Sequence, residues 1–488
     1  MKKLSFVTVF MLIGFVSVTY AQTLNVNVGE VTYAHSASNT GDMVFNGGTS
    51  LTIEGKTYQL SQISSIKVGD NAVADNTVSV VWSGNTAAVV VAGNIASKLT
   101  IVANGATVSV VQSESLQNEV TYTLSGSSAN GSFFMDGSYK ANFVLNNLSL
   151  TNPSGAAIDI QDGKKIAVTV TGTNQLSDGA GGSHNATFYI NGHPEFDGTG
   201  ALTIAGKTKH ALTADECMVL KSGTITVSEA ASDGFHISQY FRMDGGTVNI
   251  SSTGDGIDIG IKGANKGTAD QYENNGMAFM NGGTLTIKST GTASKGLKAE
   301  SDITWSGTTA SITCSGNATY DAEEKDISSP SALKTDGAFT INSGDITLHN
   351  TGSGGKGINA TTDITFNNGT VKVCTTGAVF VYGADDSKPH GVKTDGNIII
   401  NGGNIYVAAS SDSGNAFKTD NRLTINGGTV MGIGQKKCEP TGGTQGYKLY
   451  SGVNVAGGST VTYDGVSFTV PSDYSNSKAK IVVSKAGL

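Results

Sequence analysis

Proline is scarce in this chain, with 6 residues in 488 against 65 glycines. So much glycine without proline points away from disorder and towards a folded chain with many tight turns. Arginine is scarcer still: Arg242 and Arg422 are the only two, and charged residues of all kinds make up 14%. With a formal net charge of −8, such a chain is poorly suited to gripping nucleic acid, whose phosphates reward clustered cations. Beyond the first twenty residues there is no long apolar run, so no membrane span is expected.

What stands at the start is a processing signal. Lys2 and Lys3 precede an apolar run from Leu4 to Val18, and Thr19 and Ala21 supply small residues for cleavage after Ala21. This is the pattern of a secretory signal peptide over residues 1–21, and no cysteine follows the site to take a lipid. Loss of Lys2 and Lys3, the only charged side chains in the leader, moves the net charge from −8 to −10. The mature protein is expected in the periplasm, on the cell surface or outside the cell, acting as a monomer.

Self-alignment yields the main result. Stretches of 21 residues beginning at Ala211, Gly234, Gly296, Ala332, Gly357, Gly391 and Ala416 match without a gap; an eighth begins at Gly256, is interrupted, and resumes at "MAFMNGGTLTIKSTG". Weaker copies begin near Ala157 and Ala186. Apolar residues fall at positions 2 and 4, 8 and 10, and 15 and 17, and this alternation means three short strands per unit. Position 2 (Leu212, Phe235, Ile257, Leu297, Leu333, Ile358, Val392, Phe417) and position 10 (Leu220, Met243, Met280, Trp305, Ile341, Phe366, Ile400, Ile425) would each stack as an internal column. Position 13 is glycine in every copy except one, where Thr308 stands, as a corner needing left-handed backbone requires. A unit too small to bury its own apolar face must stack on its neighbours. The expected fold is all-β, a right-handed parallel β-helix of about ten coils, roughly 50 Å long at the parallel strand spacing. It would occupy residues 116–438, between an N-terminal β region (22–115) and a β cap (439–488) over its open end.

The coil pattern "GhKA..DhTINGGTVxV" preceded by "DGI", with "EVTYTLSGSS...FVLNNLSLTNPSGAAIDIQDGKKIAVTV" ahead of it, resembles an extracellular carbohydrate-binding β-helix family of cellulose-degrading anaerobes and gut bacteria. The resemblance covers about residues 119–435. It implies a polysaccharide-lyase-like fold, calcium binding, and association with cellulose and acidic sugars; it does not imply lyase activity.

Three insertions break the repeat, at 260–276, 317–331 and 378–390. All leave from corners flanking the first strand, so they would wall a groove whose floor is position 3, and long loops on a rigid scaffold commonly carry function. That floor reads Thr213, His236, Asp258, Lys298, Lys334, Asn359, Lys393, Lys418, and position 5 adds Asp215, Glu300, Asp336, Asp395 and Asp420. The candidate ligand-binding residues are therefore Lys298, Lys334, Lys393, Lys418 and Asn359, facing uronate carboxylates or the hydroxyls of an extended glycan. The same rows also read as Lys and Asp neutralising each other in a solvated ladder. For metal, Asp233 and Asp255 stack in neighbouring repeats and Asp258 lies three residues on; three converging carboxylates suit Ca²⁺. Asp321, Glu323, Glu324, Asp385 and Asp386 are weaker candidates of the same kind.

Other chemistries find less support. Trp305 is at an inward position, and Phe279, Tyr320, Tyr382 and Tyr406 are scattered rather than arrayed as a flat crystalline surface would need. Cys314 and Cys374 lie two rungs apart, roughly 10 Å, too far for a disulfide; Cys217 and Cys438 have no assignable state. A lyase needs a base, and Lys298 or Lys334 would serve only with a strongly depressed pKa, against the acidic row beside them. Arg242 and Arg422 lie off the floor. The reading is a secreted, non-catalytic binder of plant-type or acidic polysaccharide, cellulosic or uronate-containing, assisted by calcium. An adhesin or structural rod, and a polysaccharide lyase, are the alternatives.

Overall fold

The computed structural model describes residues 22–70, 72–263, 273–410, 412–436 and 438–488. The leader read at 1–21 and the middle of the 260–276 insertion lie outside the described residues. The described chain is all β apart from one short helical turn, Gly93–Ala96.

Each repeat folds into three short strands, one for each of its apolar pairs. In the repeat from Ala211 they are His210–Ala214, Met218–Leu220 and Thr224–Ala230; in the next they are Phe235–Ile237, Phe241–Met243 and Thr247–Ser252. Every strand pairs in parallel with its counterpart in the following repeat, so that Leu212 lies beside Phe235, Met218 beside Phe241 and Ile225 beside Val248. Three rows of parallel strands result. Among the described residues the first row is a 13-stranded sheet ending at Asn415–Thr419, and the other two are joined through flanking strands into a 29-stranded sheet.

Unslipped pairing turns each repeat position into a column. The residues of positions 2 and 10 are buried throughout, Trp305 among them. Fully burying side chains of this size contributes about 1.5–3 kcal/mol each, which only stacking makes available. The position-13 glycines have φ between 78° and 111°. They are also crowded: a Cβ on Gly283 would lie 2.5 Å from Gly246 O, and one on Gly369 would lie 2.7 Å from Gly344 O. Thr308 closes its corner differently. The register slips after Trp305, the Thr308 hydroxyl donates to Gly282 O at 2.8 Å, and the Trp305 indole N–H donates to Thr308 O at 2.7 Å.

Parallel stacking begins earlier in the chain than the repeat signature does. Thr77–Ser83 pairs in parallel with Val120–Ser128, and Thr107–Gln112 with Ser132–Asp136. At the other end Asn476–Ser484 runs antiparallel to Thr429–Gly434, and the hairpin Thr460–Tyr463/Val466–Thr469 belongs to a second apolar cluster with Cys374, Met431 and Ile433. All four cysteines are free and buried, Cys217 and Cys438 included.

The corner geometry generates a prediction. Gly369→Ala adds both left-handed strain and a carbonyl clash, and should lower stability by about 1–3 kcal/mol in urea unfolding. Gly383→Ala meets nothing within 4 Å, and should cost less than half as much; equal losses would remove the close-approach argument.

Candidate functional site

Two insertions fold into β-hairpins, Thr319–Asp321 with Asp326–Ser328 and Phe380–Tyr382 with Asp385–Ser387. They lean on each other: the Tyr320 and Tyr382 rings stack at 4.1 Å with planes 10° apart, and Ser329 Oγ lies 2.7 Å from Ser387 Oγ. Together they wall a groove of about 540 Å³ over the 13-stranded sheet. The described ends of the third insertion do not line it. They pack elsewhere, where Lys262 pairs with Glu216 at 3.2 Å and the Gln239 side chain donates to Glu273 O, because the insertion leaves the repeat after position 4 and not before position 1.

The floor is the position-3 column, with Asp258, Lys298, Lys334, Asn359, Lys393 and Lys418 in unbroken parallel register. All of the candidate ligand-binding residues, Lys298, Lys334, Asn359, Lys393 and Lys418, line the groove. Each lysine has a carboxylate at hand: Lys298 with Asp258 at 2.9 Å, Lys334 with Asp336 at 2.6 Å, Lys393 with Asp395 at 3.2 Å, and Lys418 with Asp420. Asp336, Asp395 and Asp420 are at least half exposed. Pairs of this kind are worth about 0–1 kcal/mol, so a ligand carboxylate displaces them at little cost.

A second row of side chains, just before position 1, was not among the candidates. Lys295, Ser331, Lys356, His390 and Asn415 follow one another in register along the base of the hairpin wall. Lys356 is buried, and its ammonium donates to Gly354 O and to Ser387 Oγ at 2.7 Å. Burial first, then the charge of Lys393, pushes its pKa down to about 7, with Asp386 opposing. Lys295 is lowered by burial too, against the pull of Asp255, and its Nζ lies 3.3 Å from Ser328 Oγ. Burial and the neighbouring lysines push His390 down to about 3, and its Nδ1 accepts the Asn415 N–H at 3.2 Å, which leaves the ring hydrogen on Nε2. The signal for this row was present in "SKG", "GKG" and "PHG" at the position where Asp233 and Asp255 stand in earlier repeats.

The carboxylates expected to hold calcium are arranged otherwise. Asp233 and Asp258 lie on two sides of the His236 imidazole, whose Nδ1 is 3.3 Å from an oxygen of each, and His210 stacks on His236 at 4.4 Å and contacts Asp233 at 3.1 Å. The two carboxylates push His236 up to about 9 against burial. Burial would raise Asp233, but His210 and His236 outweigh it and hold the carboxyl well below its ordinary range. Asp255 turns to another partner, accepting the Lys295 N–H at 2.7 Å, and burial pushes it up to about 7. Among the described residues the group with metal-ligand spacing is His210, Asp233 and His236. Two imidazoles and one carboxylate do not fit the six to eight oxygens Ca²⁺ takes, and the oxygens of Asp258 already face His236 and Lys298.

Of the remaining candidates, Asp321 caps the turn of its hairpin by accepting the N–H of Glu323 at 2.9 Å and of Glu324, and Asp386 pairs with Lys388 at 2.8 Å. Phe279 packs on Tyr240, and Tyr406 stacks on Phe468, so neither faces the groove.

Comparison with known proteins follows from this geometry. The family model for carbohydrate-binding domain-containing proteins matches residues 104–354 and 349–435. No curated protein matches the chain. A solved structure, the gadolinium derivative of a polysaccharide lyase-like protein from C. thermocellum, is similar at 18% identity and a TM-score of 0.43, covering 54% of this chain and 96% of that one.

Two outcomes test the electrostatics. Lys356 is held at about 7 against an ordinary 10.5, so between those values the unfolded chain binds a proton that the folded chain does not, and stability rises with pH. Lys356→Met should remove that slope and be more stable than the parent below pH 7, by on the order of 2 kcal/mol in urea unfolding, with the advantage fading towards pH 10. Millimolar Ca²⁺ should leave the melting temperature unchanged beyond an ionic-strength control; a rise of several degrees abolished by Asp233→Asn would restore an oxygen cage at this corner.

Proposed function

The chain belongs to the family of carbohydrate-binding domain-containing proteins, and from that premise we propose that it holds a stretch of acidic polysaccharide, without cleaving it, in the lysine-lined groove. The observation that carries the reading is the floor column: cations at four of five successive strand steps, with Asn359 at the middle one, beneath a wall built from two hairpins. Four steps separate Lys298 from Lys418, roughly 19 Å, room for several sugars laid along the stack. Uronate carboxylates meet the lysines there, and Asn359 meets hydroxyls. Support for the scaffold comes from the three rows of strand-to-next-repeat pairing, which we read as the faces of a right-handed parallel β-helix. The leader pattern of residues 1–21 supports export.

One observation favours a second reading. An eliminative lyase needs a base beside the uronate carboxylate, and Lys356, held near neutrality in the groove, has that property. Lys298 lacks it: burial lowers its pKa, but the Asp258 carboxylate outweighs burial and leaves it above the usual lysine range.

The deciding experiment is isothermal calorimetry and column retention of the mature protein on polygalacturonate, with a neutral soluble cellulose derivative alongside, while the ultraviolet absorbance of unsaturated uronate is followed. Retention on polygalacturonate that weakens with salt, without unsaturated product, is expected. Product formation would convert the reading to a lyase. Absence of retention on either glycan would overturn carbohydrate binding at this groove in favour of an adhesive or structural rod.

A further inference from the structure

The two lysine rows differ in what already neutralises them. On the floor every lysine has a carboxylate. On the inner row, among the described residues, neither Lys295 nor Lys356 has a carboxylate within ion-pair distance; their partners are the hydroxyls of Ser328 and Ser387 and a backbone carbonyl. Between them in register sits Ser331, whose buried hydroxyl has no hydrogen-bond partner. Beyond Lys356 comes His390, neutral, with Nδ1 used and Nε2–H to spare. Donors therefore outnumber acceptors along this row, and a buried ammonium without a counter-ion is costly unless something negative is meant to meet it. The row also changes sign along the stack. The same position holds Asp233 and Asp255 in earlier repeats and turns to lysine only where the hairpin walls stand.

We propose that Lys295, Lys356 and His390 of the inner row, which line the groove, are its anion-recognising positions, taking carboxylate or sulfate substituents of the glycan, and that they, more than the floor lysines, set selectivity for acidic over neutral chains. This rests on the glycan reading above. The floor then acts as a track with weak, exchangeable pairs, while the inner row recognises charge where water is excluded and each charge-assisted hydrogen bond counts for more. The groups facing Lys356 are Lys393, Asp386, His390 and the Ser387 hydroxyl. An anion added among them favours the ammonium form, so binding above neutral pH draws in protons.

The test compares Lys295→Met and Lys356→Met with Lys334→Met and Lys393→Met by calorimetry on polygalacturonate, on a sulfated galactan and on a neutral cellulose derivative, with urea unfolding of each variant. Expected are a loss of tenfold or more for acidic glycans in each inner variant with little change for the neutral chain, and in each floor variant a smaller loss for acidic glycans. Loss confined to one acidic glycan identifies carboxylate or sulfate as the substituent. The parent should also take up protons on binding at pH 8, read from calorimetry in buffers of different ionisation enthalpy, which keeps the proposal testable if Lys356→Met fails to fold. Floor variants that lose as much as the inner ones, or binding without proton uptake, would overturn the proposal. A parent that binds no glycan overturns the function itself instead.

Discussion

Parallel pairing, kept in register from Ala211 onward except at the Thr308 corner, sets each repeat position directly on its counterpart about 4.8 Å away, and the rest of the molecule follows from that constraint. For apolar positions it is an advantage: columns such as Leu212–Phe235–Ile257–Leu297 bury one another completely. For charged positions it is a difficulty, since like residues are stacked on like. The floor column relieves it within each strand, by a carboxylate two residues after the lysine at Lys334, Lys393 and Lys418, or by alternating sign along the stack, as His236, Asp258 and Lys298 do. The inner row relieves it by spacing instead, with Ser331 between Lys295 and Lys356, and has no ion-paired carboxylate at either lysine.

The groove sits where the repeat is interrupted, because there two hairpins turn a flat ladder concave. The hairpins at 319–328 and 380–387 add no strand to the sheet; they stand beside it and lean together through Tyr320, Tyr382, Ser329 and Ser387. Lys356 ties the second hairpin to the scaffold through Ser387 and Gly354. One side chain thus serves the wall and the floor together.

The columns were legible because their physics is local. A glycine with positive φ or an apolar residue at every twenty-first position carries its reason with it, and Trp305 sits inside as its position requires. The groove floor and two of its walls were legible for the same reason. What escaped was contextual. Asp255 and Lys295 occupy equivalent positions, but that the Asp255 carboxylate accepts the Lys295 N–H, while Asp233 pairs with His210 and His236, is a matter of side-chain rotamer that spacing does not give. The burial that lowers Lys356 comes from a hairpin distant in sequence.

The antiparallel strand Asn476–Ser484 has a meaning beyond its own stability. A stack of identical parallel edges invites the next molecule to continue it, the route by which β proteins concatenate. Here the third row finishes on a strand running the opposite way, and the second on two backbone hydrogen bonds, Thr441 N–H to Leu423 O and Ile425 N–H to Gly442 O. The first row ends at Asn415–Thr419, where Ala416 and Phe417 are buried and Lys418 supplies a charge of the kind that discourages edge-to-edge growth. At this end of the stack, among the described residues, two of the three rows offer no open parallel edge on which a second molecule could continue the sheet.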